Sequence, residues 1–209
     1  MRRFCILAAV VIGLAGCVSV SGVPRLKNWP KSTPETQTAN GAILLKVQSV
    51  SDIPGGFYVT RIFIRFFNRE VDPETAAAGY DLKNPGSKAN ELILVYLPPG
   101  RYSISPMVGV TRNDFNWLKM NDPGGAFEDV YVRPGVVTPV GILSLKTTIV
   151  ITSANSDGSV SFNSTGKSTW EDQPDAQRKI LREALADPRA GPLNWKPGLQ
   201  AALDNIGKK

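Results

Sequence analysis

Histidine is absent from the 209 residues, and cysteine occurs only as Cys5 and Cys17. Both cysteines lie near the start, so the body of the chain has neither residue. That removes Ser-His-Asp and Cys-His arrangements, whose general base is an imidazole. It also removes the common zinc ligands and any disulfide within the body. The reading therefore calls for no metal, no cofactor and a fold held by burial alone. Long apolar runs are scarce too. Phe4 to Gly16 carries no charge, but a helix of that length spans roughly 18–20 Å, short of a ~30 Å hydrocarbon core. Blocks of lysine and arginine are also missing. Setting Arg2 and Arg3 aside leaves 22 of the 24 basic residues against 18 acidic ones, a net charge of about +4. A mild excess without a basic block excludes the signature of a nucleic-acid binder. It suits solubility, or contact with anionic headgroups and cell-wall polymers.

What is present begins with Met1-Arg2-Arg3, the short apolar run, and the small residues Ala15 and Gly16. Together they describe a secretory signal peptide. A cysteine follows directly. Leu14-Ala15-Gly16-Cys17 resembles the lipobox of bacterial lipoproteins at each position. The resemblance implies that residues 1–16 are removed and that the Cys17 sulfur takes a diacylglycerol. Each buried CH₂ contributes roughly 0.8 kcal/mol, so several acyl chains hold a protein firmly. Residue 18 is Val rather than Asp. By resemblance to Gram-negative lipoproteins, this favours the outer membrane in a cell with two membranes.

Residues 17–40 are rich in Ser, Thr, Pro and Asn, with Pro24, Pro30 and Pro34 opposing regular structure. They read as a lipidated N-terminus and flexible tether, reaching on the order of 25–30 Å. Residues 41–166 read as one antiparallel β-sandwich of seven or eight strands. Ala42–Val50 alternates, with Leu45 and Val47 on one face and Lys46 and Gln48 on the other. Phe57–Phe67 places Ile62, Ile64 and Phe66 on one face and Arg61, Phe63, Arg65 and Phe67 on the other. Segments 69–90 and 111–125 read as loops. Further strands are expected at 91–97, from 101, at 126–132, over 136–152 and at 159–163, separated by Pro-Gly and Asp-Gly turns. No long helices lie between strands, which disfavours a parallel α/β sheet. Residues 167–209 read as a helical extension. Pro174 starts a helix whose stripe holds Ala176, Ile180, Leu181, Ala184 and Leu185. Leu199, Ala202, Leu203 and Ile206 mark a second. The stripe packs on the sandwich edge or serves a partner.

Two segments of the body, Val95-Tyr96-Leu97-Pro98-Pro99-Gly100-Arg101-Tyr102-Ser103-Ile104 and Asp129 to Leu143, resemble prealbumin-like (transthyretin-like) β-sandwich modules of bacterial lipoproteins. In this layout Tyr102 buries its ring while its hydroxyl reaches backbone. The resemblance implies a sandwich without catalytic residues.

No residue is assigned to catalysis. Glu70 with Asp72, or Glu128 with Asp129, are the candidate acid/base pairs. Neighbouring strand residues such as 128 and 129 point to opposite faces, which argues against the second. Asn121-Asp122 and Asp157 lack the spacing of a calcium loop. The candidate binding strip is Arg61, Phe63, Arg65 and Phe67, with Arg69 extending the row. It can stack on or bind an acidic polymer, or stand as a solvated face. The expected function is a non-enzymatic, membrane-anchored cell-envelope lipoprotein that binds or supports another envelope component. An envelope hydrolase using carboxylate or Ser groups is the alternative.

Overall fold

The structure is a computed structural model that describes residues 25–52, 58–70, 77–83, 88–111, 115–119, 127–154 and 160–207. In chain order these form α1 (Pro34–Ala39), β1 (Gly41–Asp52), β2 (Tyr58–Asn68), β3 (Ala77–Lys83), β4 (Lys88–Leu97) and β5 (Gly100–Thr111). Then come β6 (Phe115–Lys119), β7 (Phe127–Val132), β8 (Val137–Ala154), β9 (Val160–Glu171), α2 (Pro174–Ala186) and α3 (Lys196–Asn205). One sheet runs β4-β1-β8-β9. The other runs β3-β2-β5, with β6 and β7 sharing the far edge of β5.

The sheets face each other across one core. The four-stranded sheet contributes Ile43, Leu45, Val47, Ile93, Val95, Leu143 and Leu145. The five-stranded sheet contributes Ile62, Ile64, Phe66, Ile104, Val108 and Val130. Each fully buried aliphatic side chain contributes roughly 1.5–3 kcal/mol through lost apolar surface. The chain is thus a β-sandwich, and Ile62, Ile64 and Phe66 fill the face their alternation predicts. Tyr102 is buried, and its hydroxyl donates to the Pro98 carbonyl oxygen at 3.0 Å.

A second apolar cluster lies on the other face of the four-stranded sheet. Ala42, Leu44, Leu94, Val137 and Ile142 meet Ile180, Leu181 and Ala184 of α2, Leu199 of α3, and Trp29 and Trp195. The helical stripe read from the sequence is the buried one. It covers a sheet face rather than the sandwich edge, so the molecule has three layers: sheet, sheet, helices. Lys46, expected on a polar face, lies under this layer at 7% exposure and donates to Glu183 Oε2 at 2.6 Å.

Several sequence expectations are corrected. The sandwich is not wholly antiparallel, because β1 and β8 pair in parallel. A parallel pair needs a long crossover, and most of the chain between them builds the opposite sheet. Segment 69–90 contains β3, and segment 111–125 contains β6. The β3 signal is weak because its core side chains, Ala78, Tyr80 and Leu82, alternate over only five residues. Nine strands result among the described residues. The stretch 136–152 is one strand, β8, with a bulge at Val140. Beside the bulge, Gly141 adopts φ 131°, and a Cβ there would collide with the Glu171 carbonyl of the adjoining β9. β9 runs to Glu171, past the expected boundary at 166.

The largest difference concerns residues 25–40, expected as tether. They are packed. Leu26 N–H donates to Gly79 O of β3 at 2.7 Å, and Trp29 N–H donates to Leu94 O of β4 at 2.8 Å. Asn28 Nδ2 donates to Glu91 Oε1 at 2.9 Å, while its Oδ1 accepts from Leu94 N–H at 2.8 Å. β3 and β4 are edge strands of opposite sheets. The segment therefore clasps the open side of the sandwich and satisfies edge groups that would otherwise invite pairing. Trp29 sits at φ 51° with 2% exposure. Its burial and two hydrogen bonds, the second from Nε1 to Leu92 O at 3.2 Å, hold a backbone state that bulky residues avoid. Thr33 then caps α1 through a reciprocal bond with Thr36.

Candidate functional site

The strip Arg61, Phe63, Arg65 and Phe67 lies on the outer face of the five-stranded sheet, opposite the helical layer. Its position follows from alternation, since Ile62, Ile64 and Phe66 occupy the core. Phe63 is 4% exposed. Its ring lies over Gly79 of β3, where a Cβ would collide with it. Glycine at 79 thus permits the ring to lie flat against the neighbouring strand. The Arg65 guanidinium carbon stands 5.9 Å from the Phe63 ring centroid, a cation–π contact. Arg65 Nε is buried and has no hydrogen-bond partner among the described residues.

Arg61 is held in a two-point fork by Asp81 of β3. Its Nε reaches Oδ1 at 3.1 Å and its Nη2 contacts Oδ2. Arg25 approaches the same carboxylate at 3.5 Å. The hydrogen bonds that Arg61 donates to Asp81 hold its guanidinium above its usual range. At the other end of the face, Arg101 pairs with Asp129, and Arg69 lies 3.9 Å from the same carboxylate. Asp129 sits at φ 71°, a left-handed state that Asp tolerates better than most residues. The Arg101 guanidinium also stands 5.9 Å from the exposed ring of Tyr131.

The face therefore gathers Arg25, Arg61, Arg65, Arg69, Lys83 and Arg101 around the carboxylates of Asp81 and Asp129. Among the described residues, these cations outnumber the two carboxylates. Of this set, Arg61, Arg65 and Arg69 were expected together from β2 alone. Arg25, Lys83, Arg101 and Tyr131 were not, because they come from other strands and from the clasp. The alternation of Arg101, Ser103 and Ser105 against buried Tyr102 and Ile104 was the available signal.

The remaining sequence candidates are dispersed. Cys17, Asp72, Asn121, Asp122 and Asp157 lie outside the described residues, as do the side-chain surroundings of Glu128. Glu70 is exposed, and its N–H is bonded to Asn68 Oδ1. Glu91 bridges the two sheets, accepting from the Tyr80 hydroxyl at 2.7 Å. Burial first, then this bond, push the Tyr80 phenol well above its ordinary range. Among the described residues no three His, Cys, Asp or Glu side chains gather as a metal site, and no helix is long and apolar enough to cross a membrane.

No family model matches the chain. No curated protein matches it either. Solved structures with some likeness include a Bacteroides ovatus protein provisionally described as a cell adhesion protein, at 9% identity and a TM-score of 0.24. That match covers 63% of this chain and 45% of the other. Another is 3-chlorocatechol 1,2-dioxygenase from Rhodococcus opacus, at 9% identity and a TM-score of 0.26, covering 70% of this chain and 66% of the enzyme. Likeness at this level carries no argument about activity.

Proposed function

We propose that the protein is a non-enzymatic lipoprotein of the cell envelope, anchored through acylated Cys17, whose sandwich binds or supports another envelope component. Leu14-Ala15-Gly16-Cys17 supports the anchor, and Val18 favours the outer membrane. The observation that carries the reading is the clasp. The described residues start at Arg25, eight positions after Cys17, and are packed from there. An acyl chain there would keep the whole body within reach of the bilayer. The hydrolase alternative has less support. Asp81, Glu91, Asp129, Glu183 and Asp187 are each engaged by a cation or a structural hydrogen bond. None forms a second carboxylate's partner across a cleft, as acid/base hydrolysis needs.

Metabolic labelling with palmitate tests the anchor. Wild type takes the label and partitions into a detergent phase; Cys17→Ala does neither. Label persisting in the alanine variant would overturn the assignment. Crosslinking in intact envelopes tests the binding role, and recovery of no reproducible partner counts against it.

A further inference from the structure

We infer that the sandwich core contains a small hydrated site between its sheets, where Ser51, Thr147 and Ser168 bind ordered water. The site is separate from the basic outer face and independent of the anchor. Its three residues lie on β1, β8 and β9, which are neighbours in the four-stranded sheet.

Thr147 is fully buried and Ser168 is 1% exposed. Their side-chain oxygens, and Ser51 Oγ, are buried with no hydrogen-bond partner among the described residues. A hydroxyl taken out of water without a replacement bond costs free energy, so buried hydroxyls are nearly always paired. Register brings the three together. Ser51 stands beside Thr147 on one side and Gly166 on the other. Ser168, opposite Leu145, is the diagonal neighbour of Thr147. Alternation sends all three side chains inward, because Val47, Leu145 and Trp170 of the same strands pack in the sandwich core. Ile149, two residues past Thr147, is buried in that core as well. Thr147 is therefore enclosed along its strand by aliphatic neighbours.

Side-chain size and charge identify the ligand. Along the inner face one row is Val47, Leu143 and Trp170; the next is Ser49, Leu145 and Ser168; the third is Ser51, Thr147 and Gly166. Ala89 lies beyond Ser49 on β4. Side-chain bulk thus falls from row to row as hydroxyls take its place. Lys146 and Lys167 are exposed and point to the opposite side of the same strands. The inner row is neutral. Each hydroxyl can donate once and accept twice. A buried water needs two to four polar partners and little volume. A small neutral molecule that both donates and accepts suits these residues, and water is that molecule.

Two measurements on the full chain in detergent test the site, and both must agree with it. A high-resolution crystal structure should place a water within about 3.2 Å of Thr147 Oγ1 and of Ser51 or Ser168 Oγ. Hydroxyls bonded directly to one another or to carbonyl oxygens, with no water between them, overturn it. Thr147→Val then removes the hydroxyl and keeps the shape. Thr148→Val makes the same change on the outer face and controls for strand propensity. Loss of a water-bridged hydroxyl should lower the urea midpoint of Thr147→Val by about 0.5 M relative to Thr148→Val. A midpoint equal to the control's, or above it, marks a dry and unpaired hydroxyl and overturns the site. Where Thr147→Val does not fold, Ser168→Ala, which deletes one oxygen, takes its place with the same expected sign.

Discussion

The sandwich has two outer faces, built from strands of the same alternating kind, and they meet opposite fates. On the four-stranded sheet, Ala42, Leu44, Leu94 and Ile142 point away from the core and are covered by α2, α3 and Trp29. On the five-stranded sheet, the outward positions of β2 hold Arg61, Phe63, Arg65 and Phe67. No described helix packs on that face. Outward composition decides the difference. Apolar outward residues gain free energy when helices cover them, at roughly 25 cal/mol per Å². Covering a row of guanidinium groups would cost several kcal/mol for each one left without a full set of partners. The chain's two ends follow this rule. The C-terminal helices and the clasp both close on the apolar face, and Trp195 Nε1 donates to Pro30 O at 2.6 Å where they meet.

The sharpest way to break the comparison is to truncate one aromatic on each face. Trp195 is 2% exposed and packs 4.8 Å from Tyr96, centroid to centroid. Trp195→Ala should cost about 3–5 kcal/mol, lowering the melting temperature by roughly 10 °C or more. Tyr131→Ala on the other face should cost under about 1 kcal/mol. Equal losses in calorimetry would deny the two faces their different roles.

A finer test uses the one cation under the helices. Lys46 depends on Glu183, whose side chain is 34% exposed. Glu183→Ala leaves a nearly buried ammonium without its partner and should cost about 1–3 kcal/mol. Lys46→Met removes the charge but keeps the volume, and should fall within about 1 kcal/mol of wild type. The double substitution should resemble Lys46→Met alone. Denaturant midpoints report all three. A loss from Lys46→Met as large as that from Glu183→Ala would mean that the pair itself stabilises the layer.

Local periodicity made part of this arrangement readable. The division of β2 into an aliphatic and an Arg/Phe face, the stripe of α2, and the Tyr102 hydroxyl all depend on residues two to four positions apart. What stayed hidden depends on distant partners. Asn28 bonds residues more than 60 positions away, and Pro30 accepts from a tryptophan 165 positions on. Prolines at 24, 30 and 34 discourage a helix or an interior strand, so the segment resembled a tether. They do not prevent packing, and a proline carbonyl still accepts a hydrogen bond. The parallel pairing of β1 with β8 is hidden for the same reason. Turn chemistry specifies hairpins between neighbours, whereas a parallel neighbour is chosen by what covers both faces of the strand. The same limit applies to the basic face. Its β2 part was legible, while Arg25 and Arg101 joined it only through the tertiary fold.

The smallest expected effect lies where the clasp meets the loop after α2. Arg189 stands over the Trp29 ring at 4.7 Å, and Asp187 holds it through Oδ1 and Oδ2 at 2.9 and 2.7 Å. These bonds, led by the side-chain hydrogen bond, keep the Asp187 carboxyl below its usual range. An unfolded Asp titrates near 3.9, so about that pH the unfolded chain binds more protons at this site. The pair's stabilisation is therefore complete well above pH 4 and fades as pH falls through the lower folded value. Because 43% of the Arg189 side chain is exposed, solvent screening limits the effect to about 0.5–1 kcal/mol. Asp187→Asn should lower stability by that amount at pH 7, and the gap should narrow as pH drops below about 4. Urea unfolding of both proteins along a pH series measures it. A gap that stays constant to the lowest pH at which both remain folded would assign the effect to shape at the loop. A narrowing gap assigns it to the charge that seats Arg189 on Trp29, and so to the closing of the clasp over the apolar face.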